Sequence, residues 1–414
     1  MENTLSLGVR DPIKMKEAAV NNKKFFLLGL GIGILIMLTG LVGFRIYERE
    51  VRWGGIDPNS KVREIYALLD RFSILPFDRA EMLESMYRGL LYGVGDPYTQ
   101  YFDSAALAAF HVRMEGAYVG IGVLVSVDPE DRMVTVGVAY RGAPAALAGI
   151  LPGDKIIGVD GVDVVGRSLE EVIGLVRGPE NSAVTLTIFR PYENSRFDVD
   201  VIRRRVEIPT VFHEMIHTEA EAIGYIRIEG FDRVTLTQFT EALSELYAAG
   251  MNGLIIDVRN NPGGSLDVVN RITNMLIPEG IITYTEDVNG HRIYHNSTAD
   301  YLGLPLVVLI NERSASASEV LSGAIRDTGT GTLVGTQTFG KGIVQNLFYL
   351  SDGTAIKMTV AKYFTPAGES IHGIGIAPHV LVEMEESLSR QIGNLHMDED
   401  IQLQAAMKVI LLKL

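Results

Sequence analysis

Leu304-Pro305-Leu306-Val307-Val308-Leu309-Ile310-Asn311-Glu312-Arg313-Ser314-Ala315-Ser316-Ala317-Ser318-Glu319 begins as an apolar run, breaks at polar residues and resumes as a helical pattern. A short apolar run bounded by turn residues reads as a strand buried on both faces. The helix that follows is expected from about Ser316 to Asp327. The same alternation lies upstream: a strand at Ile223–Ile228, a helix at Thr235–Ala249 stopped by Gly250, a buried strand at Leu254–Val258 and a helix at Ser265–Leu276. Strands separated by helical patterns imply a layered α/β core, and sites gather in the loops that follow such strands.

Three of these segments carry residues suited to chemistry. At Asn311–Glu319, small residues let a substrate backbone approach closely, and a hydroxyl at a helix start benefits from the positive end of the dipole as charge develops. The segment reads equally as a helix cap, because Ser-x-x-Glu is a helix-start signature. At Arg259-Asn260-Asn261-Pro262-Gly263-Gly264, two glycines ahead of a helix expose N–H groups without intrahelical partners, which suits an anionic oxygen. The third segment is Thr338-Phe339-Gly340-Lys341-Gly342-Ile343-Val344-Gln345. Strand propensity does not explain a lysine held between two glycines. A serine hydroxyl needs a base, and lysine serves as one only when desolvation or nearby cations keep it neutral. A solvated turn lysine is the alternative.

The chain of 414 residues has room for two or three domains. Its balance of 37 Lys and Arg against 51 Asp and Glu, a net charge of −14, argues against nucleic acid as a partner. The absence of cysteine removes thiol nucleophiles, thiolate metal sites and disulfides together. From Phe25 to Phe44 runs an uncharged apolar stretch, long enough for a membrane-crossing helix and poorly suited to signal-peptide cleavage. It reads as an uncleaved anchor behind a cytoplasmic tail. Basic residues flank both its ends, so the positive-inside rule leans only weakly towards an external body. Two helical patterns follow. Val62–Phe72 places Val62, Ile65, Tyr66, Leu69 and Phe72 on one face, and a helix from about Asp78 is expected to bury Leu83, Tyr87, Leu90 and Leu91.

Between these helices and the α/β core, residues Gly116 to Arg203 read mostly as short strands. Tyr118-Val119-Gly120-Ile121-Gly122-Val123 sets two glycines at a strand start, where successive N–H groups can converge on a peptide carboxylate. A short helix at Gly142–Ile150 follows, and then Pro152-Gly153-Asp154-Lys155-Ile156-Ile157 runs into a turn at Asp160-Gly161. The ordered set resembles the PDZ domains fused to bacterial proteases, which take a terminal peptide as an added strand.

The motifs NPGG, SASASE, IRD and FGKGIVQ, in this order, resemble those of the carboxyl-terminal processing peptidases, or tail-specific proteases. So do Asp96-Pro97-Tyr98-Thr99 upstream and Phe364-Thr365-Pro366-Ala367-Gly368 with Gly373-Ile374-Gly375-Ile376-Ala377-Pro378 downstream. The resemblance covers nearly everything from Val62 onward. It implies an α+β or α/β multidomain chain with a crotonase-like (ClpP/crotonase-type) protease core, an inserted PDZ domain and frequent dimers. It implies Ser316 as nucleophile, Lys341 as general base and Gln345 as the polar group that orients the lysine. It places the oxyanion hole at Gly263 and the N–H of Ala317, with Gly264 as the alternative. Asp327 falls at a supporting acidic position, Arg177 at a PDZ arginine that couples peptide binding to the active state, and Gly120, Ile121 and Gly122 in the peptide-binding loop. No cofactor or metal is implied. The expected partners are protein or peptide substrates with a free C-terminus, a second copy of the chain and a membrane.

The expected layout is a tail at 1–24, an anchor at 25–44, a helical packing or dimerisation region at 60–102, the PDZ domain at 112–204, the protease core at 205–385 and a helical end at 386–414. The expected function is a membrane-anchored, extracytoplasmic serine endopeptidase; a catalytically silent PDZ adaptor is the alternative. A further motif, His213-Glu214-Met215-Ile216-His217, matches the zinc-protease pattern H-E-x-x-H. It lies between strand-like segments, and an extended chain holds its histidines too far apart for one zinc. His372 has no assigned role.

Overall fold

The computed structural model describes residues 30, 33–41, 44, 58–298 and 300–414, and the chain divides into two compact units, residues 1–82 and 83–414. In the second unit a six-stranded sheet runs in the order Val211–His217, Ala222–Ile228, Gly253–Asp257, Leu306–Ile310, Gly331–Gly335 and Val380–Leu381. The first pair is antiparallel and the others are parallel. Every residue of Gly253–Asp257 and Leu306–Ile310 is buried, as an unbroken apolar run requires.

Side chains alternate across a strand, and both faces of this sheet are covered. Leu254, Ile256, Val308 and Ile310 pack with the helices Arg233–Ala248, Leu266–Asn274 and Ala317–Asp327. Ile255, Val307 and Leu309 face the opposite way, towards Leu403, Ala406, Met407 and Ile410 of the C-terminal helix Ile401–Leu411. A second sheet runs Gln100–Phe102, Ala355–Phe364, Gly280–Asp287 and Arg292–Ser297, with Ile343–Tyr349 also paired to Ala355–Phe364.

The upstream β-rich block has its own core. Its antiparallel strands run Val123–Val127, Val134–Ala139, Lys155–Val159, Ala183–Arg190 and Ser195–Ile202. The helix Leu169–Val176 starts from a capping box between Ser168 and Glu171. Ala117–Gly120 pairs with Arg204–Glu207, so the chain enters and leaves this block side by side.

The expected burial of the N-terminal helices changes. The helix Arg79–Tyr92 contains no buried residue, and Leu90 is 69% exposed. Ile65 and Phe72 of Pro58–Phe72 are also exposed. Periodicity identifies the apolar side of a helix but supplies nothing to cover it. The tail at 1–24 and about half of the span at 25–44 lie outside the described residues. Among the described residues no helix is long and apolar enough to cross a membrane. The H-E-x-x-H segment is the strand Val211–His217, which sets His213 and His217 about 13 Å apart. His213 Nε2 instead meets Glu245 Oε2 at 3.0 Å.

The C-terminal helix is tied to the sheet by a buried ionic cluster. The Arg259 guanidinium donates to Asp257 Oδ1 at 2.9 Å through Nε, and to Asp400 Oδ1 and Oδ2 at 2.9 and 2.7 Å. Gln402 Oε1 accepts a further bond at 3.0 Å, and the Tyr225 hydroxyl donates to Asp257 Oδ2 at 2.7 Å. All these groups are buried. Asp400→Ala leaves the arginine half-satisfied out of water and is expected to cost about 3–5 kcal/mol of stability, read as a lower urea midpoint.

Candidate active site

The strand Leu306–Ile310 ends at Asn311, and a short junction delivers Ser316 to the first turn of Ala317–Asp327. Ser316 adopts φ 57°, ψ −113°, a sparsely populated conformation for a residue with a side chain. Its neighbours hold it there. The Ser316 N–H donates to Glu319 Oε2 at 2.8 Å, and the Ser316 carbonyl accepts from the Tyr363 hydroxyl at 2.9 Å. The flanking serines have other duties. Ser314 Oγ donates to the Val258 carbonyl at 2.7 Å and Ser318 Oγ to the Asn261 carbonyl at 2.9 Å, and both residues are fully buried. Of the three serines, Ser316 lines the cleft.

Glu319 organises the site beyond its cap. Its Oε2 accepts from the N–H groups of Ser316 and Lys341, both at 2.8 Å, and its Oε1 accepts from Gly340 N–H at 2.7 Å and Thr338 Oγ1 at 2.6 Å. One buried carboxylate therefore fixes the backbone on either side of the cleft. The Tyr363 hydroxyl repeats the tie, donating to the carbonyls of both Ser316 and Lys341. The glycines flanking Lys341 have a steric cause. A Cβ on Gly340 would lie 2.9 Å from Ile374 N, and one on Gly342 would lie 2.7 Å from His372 N.

Lys341 is half-buried, with its ammonium 4.6 Å from the centre of the Tyr98 ring. Burial lowers its pKa, against the opposing pull of Asp96 and Glu319. Gln345 lines the same cleft, but its Nε2 donates to the Tyr98 carbonyl at 2.5 Å. In this arrangement it fixes the residue whose ring faces the lysine. Asp96 accepts from Tyr98 N–H at 3.0 Å, Thr99 Oγ1 at 2.6 Å and Thr359 Oγ1 at 2.7 Å. Burial raises the Asp96 pKa, but these bonds and His372 outweigh it and leave the net shift downward.

The two glycines have different surroundings. Gly263 is buried, and its N–H donates to Asn261 Oδ1 at 2.8 Å. A Cβ there would lie 2.7 Å from Ser316 Cβ and 2.9 Å from Ala317 N, at φ 102°. The Gly263 carbonyl accepts from Phe231 N–H at 3.0 Å. In a trans peptide the next N–H, that of Gly264, points the opposite way. Gly264 and Ala317 both line the cleft with Ser316. The structure therefore brings Ser316, Lys341, Gln345, Gly264 and Ala317 around one cleft of about 490 Å³. Gly263 packs directly behind it, and its N–H already has a partner. Asp327 stands apart, bonded to Arg326 Nε at 2.8 Å and Ala367 N–H at 2.9 Å.

Gly120, Ile121 and Arg177 line a separate, mainly apolar groove of about 240 Å³. The groove runs between the helix Leu169–Val176 and Val123–Val127, an edge strand of its sheet. Gly122 adopts φ 79°, and a Cβ there would collide with Ala143. Tyr118 was not singled out from the sequence. Its ring folds against Gly120, where a Cβ would lie 2.6 Å away. Burial, then Tyr140, raises its pKa.

A model of peptidase family S41 matches residues 222–382, and a PDZ domain model matches residues 135–190. The carboxyl-terminal-processing protease of Picosynechococcus sp. is 35% identical over 318 residues, 76% of each chain. The carboxy-terminal processing protease CtpB of Bacillus subtilis is 31% identical over 345 residues, 83% of this chain and 71% of that one. Among solved structures, the photosystem II D1 C-terminal processing protease covers 85% of this chain and 96% of that one at 30% identity, with a TM-score of 0.46. The protein is a serine-type peptidase with a PDZ domain. It belongs to the carboxyl-terminal processing proteases of family S41.

Glu319→Gln replaces an acceptor of four bonds with a group that is half donor. It is expected to lower kcat/KM at least about a hundredfold, equivalent to about 2.7 kcal/mol, measured on enzyme whose circular dichroism shows a retained fold. Gly263→Ala, whose added carbon meets backbone atoms that cannot yield, is expected to abolish turnover in the same assay.

Proposed function

We propose that the protein is a membrane-anchored endopeptidase that cleaves substrates recognised by their C-terminal tails, through an acyl-enzyme formed on Ser316. The observation that carries this reading is the shared carboxylate of Glu319, which holds Ser316 and Lys341 at one cleft. Neutral Lys341 takes the Ser316 proton as the hydroxyl oxygen attacks a peptide carbonyl. The N–H groups of Ala317 and Gly264 meet the oxyanion, the latter in place of Gly263 because of their contrasting surroundings. Lys341 then gives its proton to the leaving amine, and water hydrolyses the ester. Gln345 acts as a positioning residue through Tyr98, and Asp327 as a structural tie.

The groove beside Val123–Val127 supports tail recognition. An edge strand next to a helix can accept an extended peptide, while the apolar walls take a terminal side chain. Gly120, Ile121 and Gly122 form the carboxylate end of this groove, and Arg177 is proposed to relay its occupancy to the cleft. A crotonase-like core, a homodimer and the domain limits expected from the sequence belong to the same proposal. The apolar run Phe25–Phe44 supports a single anchor with the protease body outside the cytoplasm. Retention of the full chain in membranes after alkaline carbonate washing, with release of a form lacking residues 1–44, is the expected result.

Ser316→Ala is expected to abolish peptide cleavage without altering the fold; unchanged turnover would overturn the mechanism. Amidating the substrate C-terminus is expected to raise KM, and equal rates on both peptides would remove tail recognition. Activity should rise with pH as Lys341 loses its proton, with a midpoint below the free-lysine value of about 10.4. Asp96→Asn removes a charge that favours protonated Lys341, so this limb should move to still lower pH.

A further inference from the structure

The Ser316 cleft contains a second lysine that the mechanism does not use. Lys357 lies on the strand Ala355–Phe364, on the same face as Thr359, whose hydroxyl holds Asp96. It lines the cleft together with Ser316, Lys341 and Gln345. Its ammonium is 5.5 Å from the centre of the Phe102 ring and 5.7 Å from that of Phe110, so the two rings orient it. The residue is half-buried, and the cations whose fields reach it are Lys341 and Arg113. The acid that reaches it is Asp96, whose carboxylate already accepts from Tyr98, Thr99 and Thr359. Among the described residues no carboxylate forms an ion pair with Lys357.

A partly desolvated ammonium without an ion-pair partner, on a residue that lines a cleft, is a site for an anion. The rest of the wall includes the apolar side chains of Phe110, Met114, Val320, Ile343 and Leu347. These suit the body of a peptide but offer its carboxylates nothing. We propose that Lys357 is a specificity-determining residue that selects peptides placing a carboxylate next to the bond being cut. The carboxylate belongs to an acidic side chain or to the peptide's own terminus. This inference rests on the proposed cleavage at Ser316.

The test uses the full-length enzyme and two peptide pairs. The first pair carries Glu or Gln near the cleaved bond, with identical free C-termini. The second pair is shortened so that the terminus falls in the cleft, as free acid or amide. Wild-type enzyme is expected to favour the acidic member of at least one pair about tenfold in kcat/KM, and the pair identifies the source of the carboxylate. Lys357→Gln should bring that ratio to about one, Lys357→Glu should invert it, and Lys357→Arg should restore it. Ratios near one in wild-type enzyme overturn the proposal. So do variants that slow all four peptides by a common factor, which marks a structural lysine. Hydrolysis that persists in Ser316→Ala counts instead against the proposed mechanism, and that result is read separately from either ratio.

Discussion

The site depends on one buried carboxylate. Glu319 takes four donors from two segments more than twenty residues apart in sequence. Bonds to a charged acceptor are stronger than neutral ones, and a carboxylate removed from water must have them. Each of the two segments has its own steric constraint. Gly340 and Gly342 pass against the backbone at 372–374, and Ser316 is held at an uncommon φ. Glu319 sets these two constraints in register, so the positions of the two side chains are a property of the core.

The layered sheet explains why this is possible. Parallel strands end together, so the junctions after Gly253–Asp257 and Leu306–Ile310 lie side by side. Ser314 and Ser318 bond the carbonyls of Val258 and Asn261, stitching one junction to the other. Gly263 then fits against Ser316 at a distance that no side chain would permit. The Arg259 cluster anchors the same junction from the other face of the sheet. Sheet, junction and C-terminal helix thus brace each other.

Features with a local cause were legible in the sequence. The buried strands followed from apolar runs, the helix starts from Ser265 and Ser-x-x-Glu, and the extended state of His213–His217 from its neighbours. Features that depend on partners far along the chain were not. Ser-x-x-Glu read as a cap, and it is one, but nothing local indicates that Glu319 also receives Thr338, Gly340 and Lys341. Two adjacent glycines do not reveal which N–H is already bonded; that depends on Asn261 and Phe231. Ile65, Phe72 and Leu90 show the converse, apolar residues of a helical pattern that stand exposed among the described residues. Lys357 belongs to no motif, and Tyr118 stands in one that is read for its glycines; only the three-dimensional arrangement places the two side chains in a cleft and a groove.

The electrostatics of Lys341 shows what the surrounding bonds achieve. A lysine in a carboxylate ion pair holds its proton more tightly, since opposite charges at 4 Å attract by about 4 kcal/mol even at an effective dielectric constant of 20. Two acids nevertheless lie close enough to act on it. Both are engaged elsewhere, Glu319 by four donors and Asp96 by three, and the ring next to the ammonium belongs to uncharged Tyr98. A face-on ring holds a cation more weakly than a carboxylate does. The hydrogen bonds that build the cleft therefore also engage the acids beside Lys341, and burial, the largest influence on this lysine, lowers its pKa.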